Sequence, residues 1–208
     1  MRNLCLAAFG FCAVIGNGAH AADATGSAAL YGLGGLKCQA VAQDASFGQD
    51  GPRRQALMSW LLGYLSASNV ERAGTFDLSP ITDQQSIYQI FYTDCKSHPA
   101  YLVQESAARV IGYLANAKIR DHSPTIVIAN DFGSVVVREA VVLQIQDSLA
   151  KMKLFKGYID GKSTLALQAS IKIFQAANKL NETGLPDPAT ILRLIVDPAR
   201  RNAAGKVR

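Results

Sequence analysis

Few side chains in this 208-residue chain have the type and spacing to do chemistry. Beyond the first twenty residues the histidines are His98 and His122. His98 precedes Pro99, and His122 sits in Asp121-His122-Ser123; neither is flanked by the signature of an activated nucleophile. Metal-assisted hydrolysis needs several His, Asp or Glu ligands, and two histidines in separate contexts do not supply them. Glu71 or Glu105 could be nominated as a single general acid, but carboxylates on helices usually face solvent. The expectation is a chain with no catalytic constellation, no metal and no cofactor.

A second group of residues suits binding. Lys151, Lys153, Lys156 and Lys162 crowd a short stretch around an Asp160-Gly161 pair, with Tyr158 among them and Thr164 just beyond. Such a basic patch attracts carboxylates or phosphates, and a tyrosine can stack on a sugar ring or cover a core. The charge is unevenly shared along the chain. From Asp23 to Ala115 there are six Lys/Arg against eight Asp/Glu, a balance of −2; from Asn116 to Arg208 there are fourteen against eight, a balance of +6.

The N-terminus sets the compartment. Arg2 precedes an apolar run from Leu4 to Ile15, followed by small residues and Ala19-His20-Ala21, the pattern of a secretory signal peptide over residues 1–21, cleaved near Ala21. The run is too short to span a bilayer. Export implies a periplasmic protein without a membrane span, and makes nucleic acid an improbable partner despite the sequence pI of about 9.1. Cleavage would also remove Cys5 and Cys12, leaving the even pair Cys38 and Cys95 in an oxidising compartment. A disulfide between them is expected, worth about 4 kcal/mol on the chain-entropy model.

The elements that must position these groups read as all-α. Arg53 to Asn69 carries Leu57, Trp60, Leu61, Tyr64 and Leu65 at helical spacing. Thr82 to Cys95 places Ile87, Ile90, Phe91 and Cys95 on one face, and Pro99 starts a third helix with Leu102, Val103, Val110 and Leu114. Three or four helices over residues 28–116, stapled by the disulfide, are expected. Trp60, inside an apolar stripe, reads as core. A turn-rich linker is expected over 117–134, with Thr125 to Ala129 a small strand or an apolar piece of linker.

The C-terminal part gives three more helices over 135–196: Val135 to Lys153, with Val142, Ile145, Leu149 and Met152; a second with Leu167, Ile171 and Phe174; and a third after Asp187-Pro188, a cap followed by the proline that suits a first helical position. Residues 197–208 read as a basic tail, disordered rather than functional.

Two resemblances attach to these halves. Trp60-Leu61-Leu62-Gly63-Tyr64 between the cysteines, and Cys95-Lys96-Ser97-His98-Pro99 closing the second helix, look like the periplasmic HdeA/HdeB acid-stress chaperones over about Lys37 to Ala115. In the C-terminal part, Leu143-Gln144 to Leu149, Gly157-Tyr158-Ile159-Asp160-Gly161, Ala169, Ile171, Phe174-Gln175, Leu180, Thr183-Gly184, Asp187 and Ala189-Thr190 fall in the order and spacing of the peptidoglycan-binding domain found beside many wall hydrolases. This second resemblance covers about Val137 to Ile195. It departs from the family after the Asp-Gly turn, where Thr164 and Leu167 stand in place of the usual glycine and threonine, near the groove through which the family is thought to meet the wall.

The second resemblance implies a partner, peptidoglycan or another cell-wall glycan, and gives the basic patch a use: Lys153, Lys156, Tyr158, Asp160, Lys162 and Thr164 are the candidate contacts. The expectation is a non-catalytic exported protein that holds its N-terminal helical domain at the wall, with an unidentified envelope protein as a possible further partner. The alternatives are a peptidoglycan hydrolase or its accessory, and an acid-stress chaperone.

Overall fold

The structure, a computed structural model, describes residues 28–200. The expected signal peptide, 1–21, lies outside the described residues, as does the expected tail from residue 201 on. Among the described residues, those from Tyr31 on form one compact unit that is mostly helical.

The N-terminal helices are α1 (Cys38–Gln43), α2 (Pro52–Glu71), α3 (Gln84–Ser97) and α4 (Val103–Leu114). Leu57, Leu61 and Leu65 recur every four residues and are the buried side chains of α2, which begins on Pro52 because a first-turn N–H needs no helical partner. Asp83 caps α3 by accepting the Ser86 N–H at 2.9 Å, and Ile87, Tyr88, Phe91 and Cys95 fill its inner face. Pro99 does not start the third helix. The chain turns there, Tyr101 and Pro99 accept the N–H groups of Cys38 and Gln39 at 2.8 and 2.9 Å, and α4 begins only at Val103.

The expected disulfide is present. Cys38 opens α1 and Cys95 lies near the end of α3, with Cα atoms 5.0 Å apart. It staples the N-terminal segment to the helix that carries the aromatic core. Trp60 is half-buried, stacked on Tyr64 with centroids 5.5 Å apart and donating to the Tyr31 carbonyl at 3.2 Å. Gly34 lies against its indole so closely that an added Cβ would come within 2.3 Å of the ring.

Residues 117–134 are ordered. Ile119 is buried and bridges to Asp77, whose carbonyl accepts its N–H at 2.8 Å. β1 (Thr125–Asn130) then pairs antiparallel with β2 (Gly133–Arg138), Ile128 opposite Val135 and Ile126 opposite Val137, around the two-residue turn Asp131-Phe132. The helix expected from Val135 therefore starts four residues later. Val135, Val136 and Val137 are β-branched and alternate between faces, Val137 buried and Val136 exposed, which a strand accommodates better than a helical turn does.

The C-terminal helices are α5 (Glu139–Lys151), α6 (Leu165–Ala177) and α7 (Pro188–Ile191), the last running into a π-helical turn at Leu192–Val196. Val142, Ile145 and Leu149 of α5 meet Leu167, Ile171 and Phe174 of α6 and Ile191 and Leu194 in a shared core. These are the stripes that the sequence spacing predicts.

Candidate functional site

The candidate residues lie on the loop between α5 and α6, and a buried glutamine shapes that loop. Gln146 of α5 is fully buried. Its carbonyl oxygen accepts the Asp160 and Gly161 N–H groups at 3.0 and 2.9 Å, while its amide donates to the Lys162 carbonyl at 3.0 Å and the Asp160 carboxylate at 3.2 Å. Gly161 takes the left-handed conformation, φ +75°, that closes the turn, and the Glu139 side chain packs over it. Thr164 then caps α6, its hydroxyl accepting the Leu167 N–H at 3.2 Å.

The second turn repeats this device. Gln175 of α6, also fully buried, accepts the Gly184 N–H at 2.8 Å and donates to Thr183 Oγ1, the Leu185 carbonyl and Thr190 Oγ1 at 3.2, 3.0 and 2.9 Å. Gly184 has φ +72°, and Asp187 caps α7 by accepting the Thr190 N–H at 2.8 Å. In both cases a glutamine that follows a core residue, Ile145 or Phe174, holds a glycine turn, and a capping side chain starts the next helix. The residue of α5 that corresponds to Gln175 is thus Gln146 and not Gln144, which reaches the Ala117 carbonyl at 3.4 Å.

Each candidate contact now has a place. Lys153, Lys156 and Lys162 are exposed around the first turn, Lys153 in the left-handed region with φ 62°. Lys151 instead pairs with Asp147 at 2.6 Å, one helical turn back. Tyr158 is 89% exposed and covers no core. Asp160 is a turn residue: the N–H of Lys162 first, then the Gln146 amide, hold its carboxyl below the ordinary value of 3.8 against the opposing effect of burial, with the Lys162 charge adding less. Thr164 is a helix cap with an exposed side chain, and Leu167, the second departure from the family pattern, is a core residue at 1% exposure.

Ile159, next to Tyr158 in the chain, and Leu165, the first residue of α6, also stand exposed, Leu165 at 84%, and sequence reading missed them. The available signal was phase. Leu165 precedes Leu167 by two positions, so it falls off the Leu167–Ile171–Phe174 stripe and points away from the core. The surface around the first turn thus combines one exposed aromatic ring, two aliphatic side chains and three ammonium groups. That combination suits the faces of sugars and the carboxylates attached to them.

The groups nominated for chemistry are not brought together. His98 Nδ1 lies 2.8 Å from the Asp94 carbonyl and its ring stacks on Tyr101, while the His122 and Phe76 rings meet in a T-shaped arrangement with centroids 5.1 Å apart. Ser106 donates to the Asp94 carboxylate at 2.7 Å, so no hydroxyl is paired with an imidazole there. Glu105 accepts the Leu102 N–H at 2.7 Å as part of the start of α4, and Glu71 is exposed at the end of α2. Among the described residues no cluster of His, Cys, Asp and Glu could hold a metal ion, and no helix is long and apolar enough to cross a membrane.

Comparison with known proteins gives one family. Residues 138–194 match the model described as "Putative peptidoglycan binding domain", a span that begins at the last residue of β2 and takes in both glutamine-pinned turns. The C-terminal part of the chain is therefore similar to this putative peptidoglycan-binding domain. The resemblance of Lys37 to Ala115 to HdeA/HdeB has no such support. No curated protein and no solved structure matches the chain.

Proposed function

We propose that this is an exported, non-catalytic envelope protein whose residues 135–196 bind peptidoglycan and so hold the helical residues 28–116 at the cell wall. The observation that carries the reading is the family match over 138–194, coinciding with a loop and the helix start after it that expose Tyr158, Ile159 and Leu165 along with Lys153, Lys156 and Lys162. The sugar faces meet the apolar side chains, and the ammonium groups meet stem carboxylates. Asp160 and Thr164 serve the same surface from within, one setting the turn and the other the helix that follows. Periplasmic location follows from the signal-like pattern at residues 1–21 and from the place where such a polymer exists.

The test is co-sedimentation of the whole mature protein with purified sacculi at low and moderate salt. Binding is expected at both, weaker at the higher salt as the lysine contribution is screened. Protein that stays in the supernatant at both would refute wall binding, and release of soluble muropeptides from the sacculi would refute the non-catalytic reading.

A further inference from the structure

A groove of about 550 Å³ runs between residues 118–124 and the first two turns of α5. Its charged lining is Lys118, Arg120, Asp121 and Glu139, with His122 and Gln144 beside them. Residues 118–124 lie outside the segment that matches the peptidoglycan-binding family, so the groove is composite.

We propose that this groove binds a short peptide bearing both a free amine and free carboxylates. Its four charges are two cations and two anions, and among the described residues none of them is in an ion pair. Lys118 Nζ donates to the Thr75 hydroxyl at 3.1 Å, which fixes the ammonium without neutralising it. Arg120 and Asp121 are exposed, and Glu139 is half-buried. Unlike charges that share a concave site without satisfying one another are free to pair with the opposite charges of a ligand. A polyanion would meet Asp121 and Glu139 unfavourably. A bare sugar would find no aromatic ring in the lining but the His122 imidazole, which already packs against Phe76.

The groove also has the right neighbour. The Glu139 side chain lies over Gly161, so one wall of the groove is continuous with the first turn and its exposed tyrosine loop. A glycan on the loop would direct its attached peptide along Glu139 into the groove. Arg120 and Lys118 take the carboxylates, and Glu139 and Asp121 take the amine. The identity of the peptide as a wall stem rests on the wall-binding reading; the groove's preference for a zwitterionic peptide does not.

The experiment is calorimetric titration of the whole mature protein with the soluble tripeptide L-alanyl-γ-D-glutamyl-meso-diaminopimelate, free of glycan, and with the same peptide acetylated on its side-chain amine. The free peptide is expected to bind with Kd below about 1 mM, and acetylation to weaken it about fivefold or more. Arg120→Ala should weaken both forms by at least about fivefold. Glu139→Gln should weaken the free form and close the gap between the two. Helical content measured by circular dichroism separates these effects from unfolding. No binding of the free peptide, or equal binding of the two forms, overturns the groove assignment. If the peptide fails while sacculi still sediment the protein, the groove assignment falls and wall binding stands; if sacculi fail while the peptide binds, the reverse holds.

Discussion

The two glycine turns of the C-terminal part use one device to opposite ends. At the second, Gln175 is enclosed by Gly184, Leu185 and Thr190, all buried, and three of its four bonds are made to them, the fourth to half-buried Thr183. At the first, Gln146 is equally buried, but the loop it holds carries its side chains outward: Tyr158, Ile159, Asp160 and Lys162 are all exposed. One turn closes the fold, and the other uses a buried anchor to present a surface. The exposed loop is thus held from beneath, by a side chain buried in the core.

The difference between the turns can be broken by substitution. The largest loss is expected at the second. Gln175→Ala would strand the buried Gly184 N–H and Leu185 carbonyl, costing about 3 kcal/mol, and Gly184→Ala should cost about 2 kcal/mol because φ +72° disfavours a side chain and its Cβ would lie 2.9 Å from the Gln168 carbonyl oxygen. Urea denaturation of the two variants measures both. A Gln175→Ala loss equal to or smaller than that of Gln146→Ala would erase the contrast.

Gln146→Ala should cost less, about 2 kcal/mol, since water can reach the exposed loop and satisfy part of what it releases. It should nevertheless reduce sacculus binding, although the residue is buried. Tyr158→Ala and Lys156→Ala sharpen the comparison from the other side: each should lower sacculus retention several-fold while leaving the unfolding free energy measured in urea within about 0.5 kcal/mol of the parent. A loss as large as that of Gln146→Ala would make the loop scaffold instead of surface.

The smallest effect concerns pH. The Asp160 carboxyl is held below its ordinary value in the fold, so its contribution to stability is present above that value and is lost as pH falls through the lowered one. Asp160→Asn should therefore be slightly less stable than the parent at pH 7, and the gap should shrink below about pH 4. A gap that grows on acidification would show that the carboxylate is not stabilised by its turn.

What could be read before the structure was the punctuation. Asp160-Gly161, Thr183-Gly184 and Asp187-Pro188 are local turn and cap chemistry, and the stripes of α5 and α6 repeat at helical spacing, so the three C-terminal helices and the position of the loop were legible. The glutamines were not. A glutamine in an amphipathic helix ordinarily faces solvent, and only its distant partners, 14 residues on for Gln146, reveal a buried role. The hairpin failed for a related reason: Val135 to Val137 are apolar enough to join the next helix, and it is pairing with Ile126 and Ile128 that makes them a strand. Pro99 misled because it serves a turn that receives Cys38 and Gln39, a contact made from 60 residues away.

Arg138 stands where the family-matching segment begins. Its guanidinium bonds Asp77 at 3.1 Å and the Ser123 carbonyl at 3.0 Å and lies 4.9 Å from the centre of the Phe76 ring. With Ile119 bridged to the same Asp77, the passage from residue 117 to 138 is fastened at both ends to one point. A slack linker would absorb a pull as chain extension before passing it on. Here the two ends of the passage cannot draw apart without breaking the contacts that both make with Asp77.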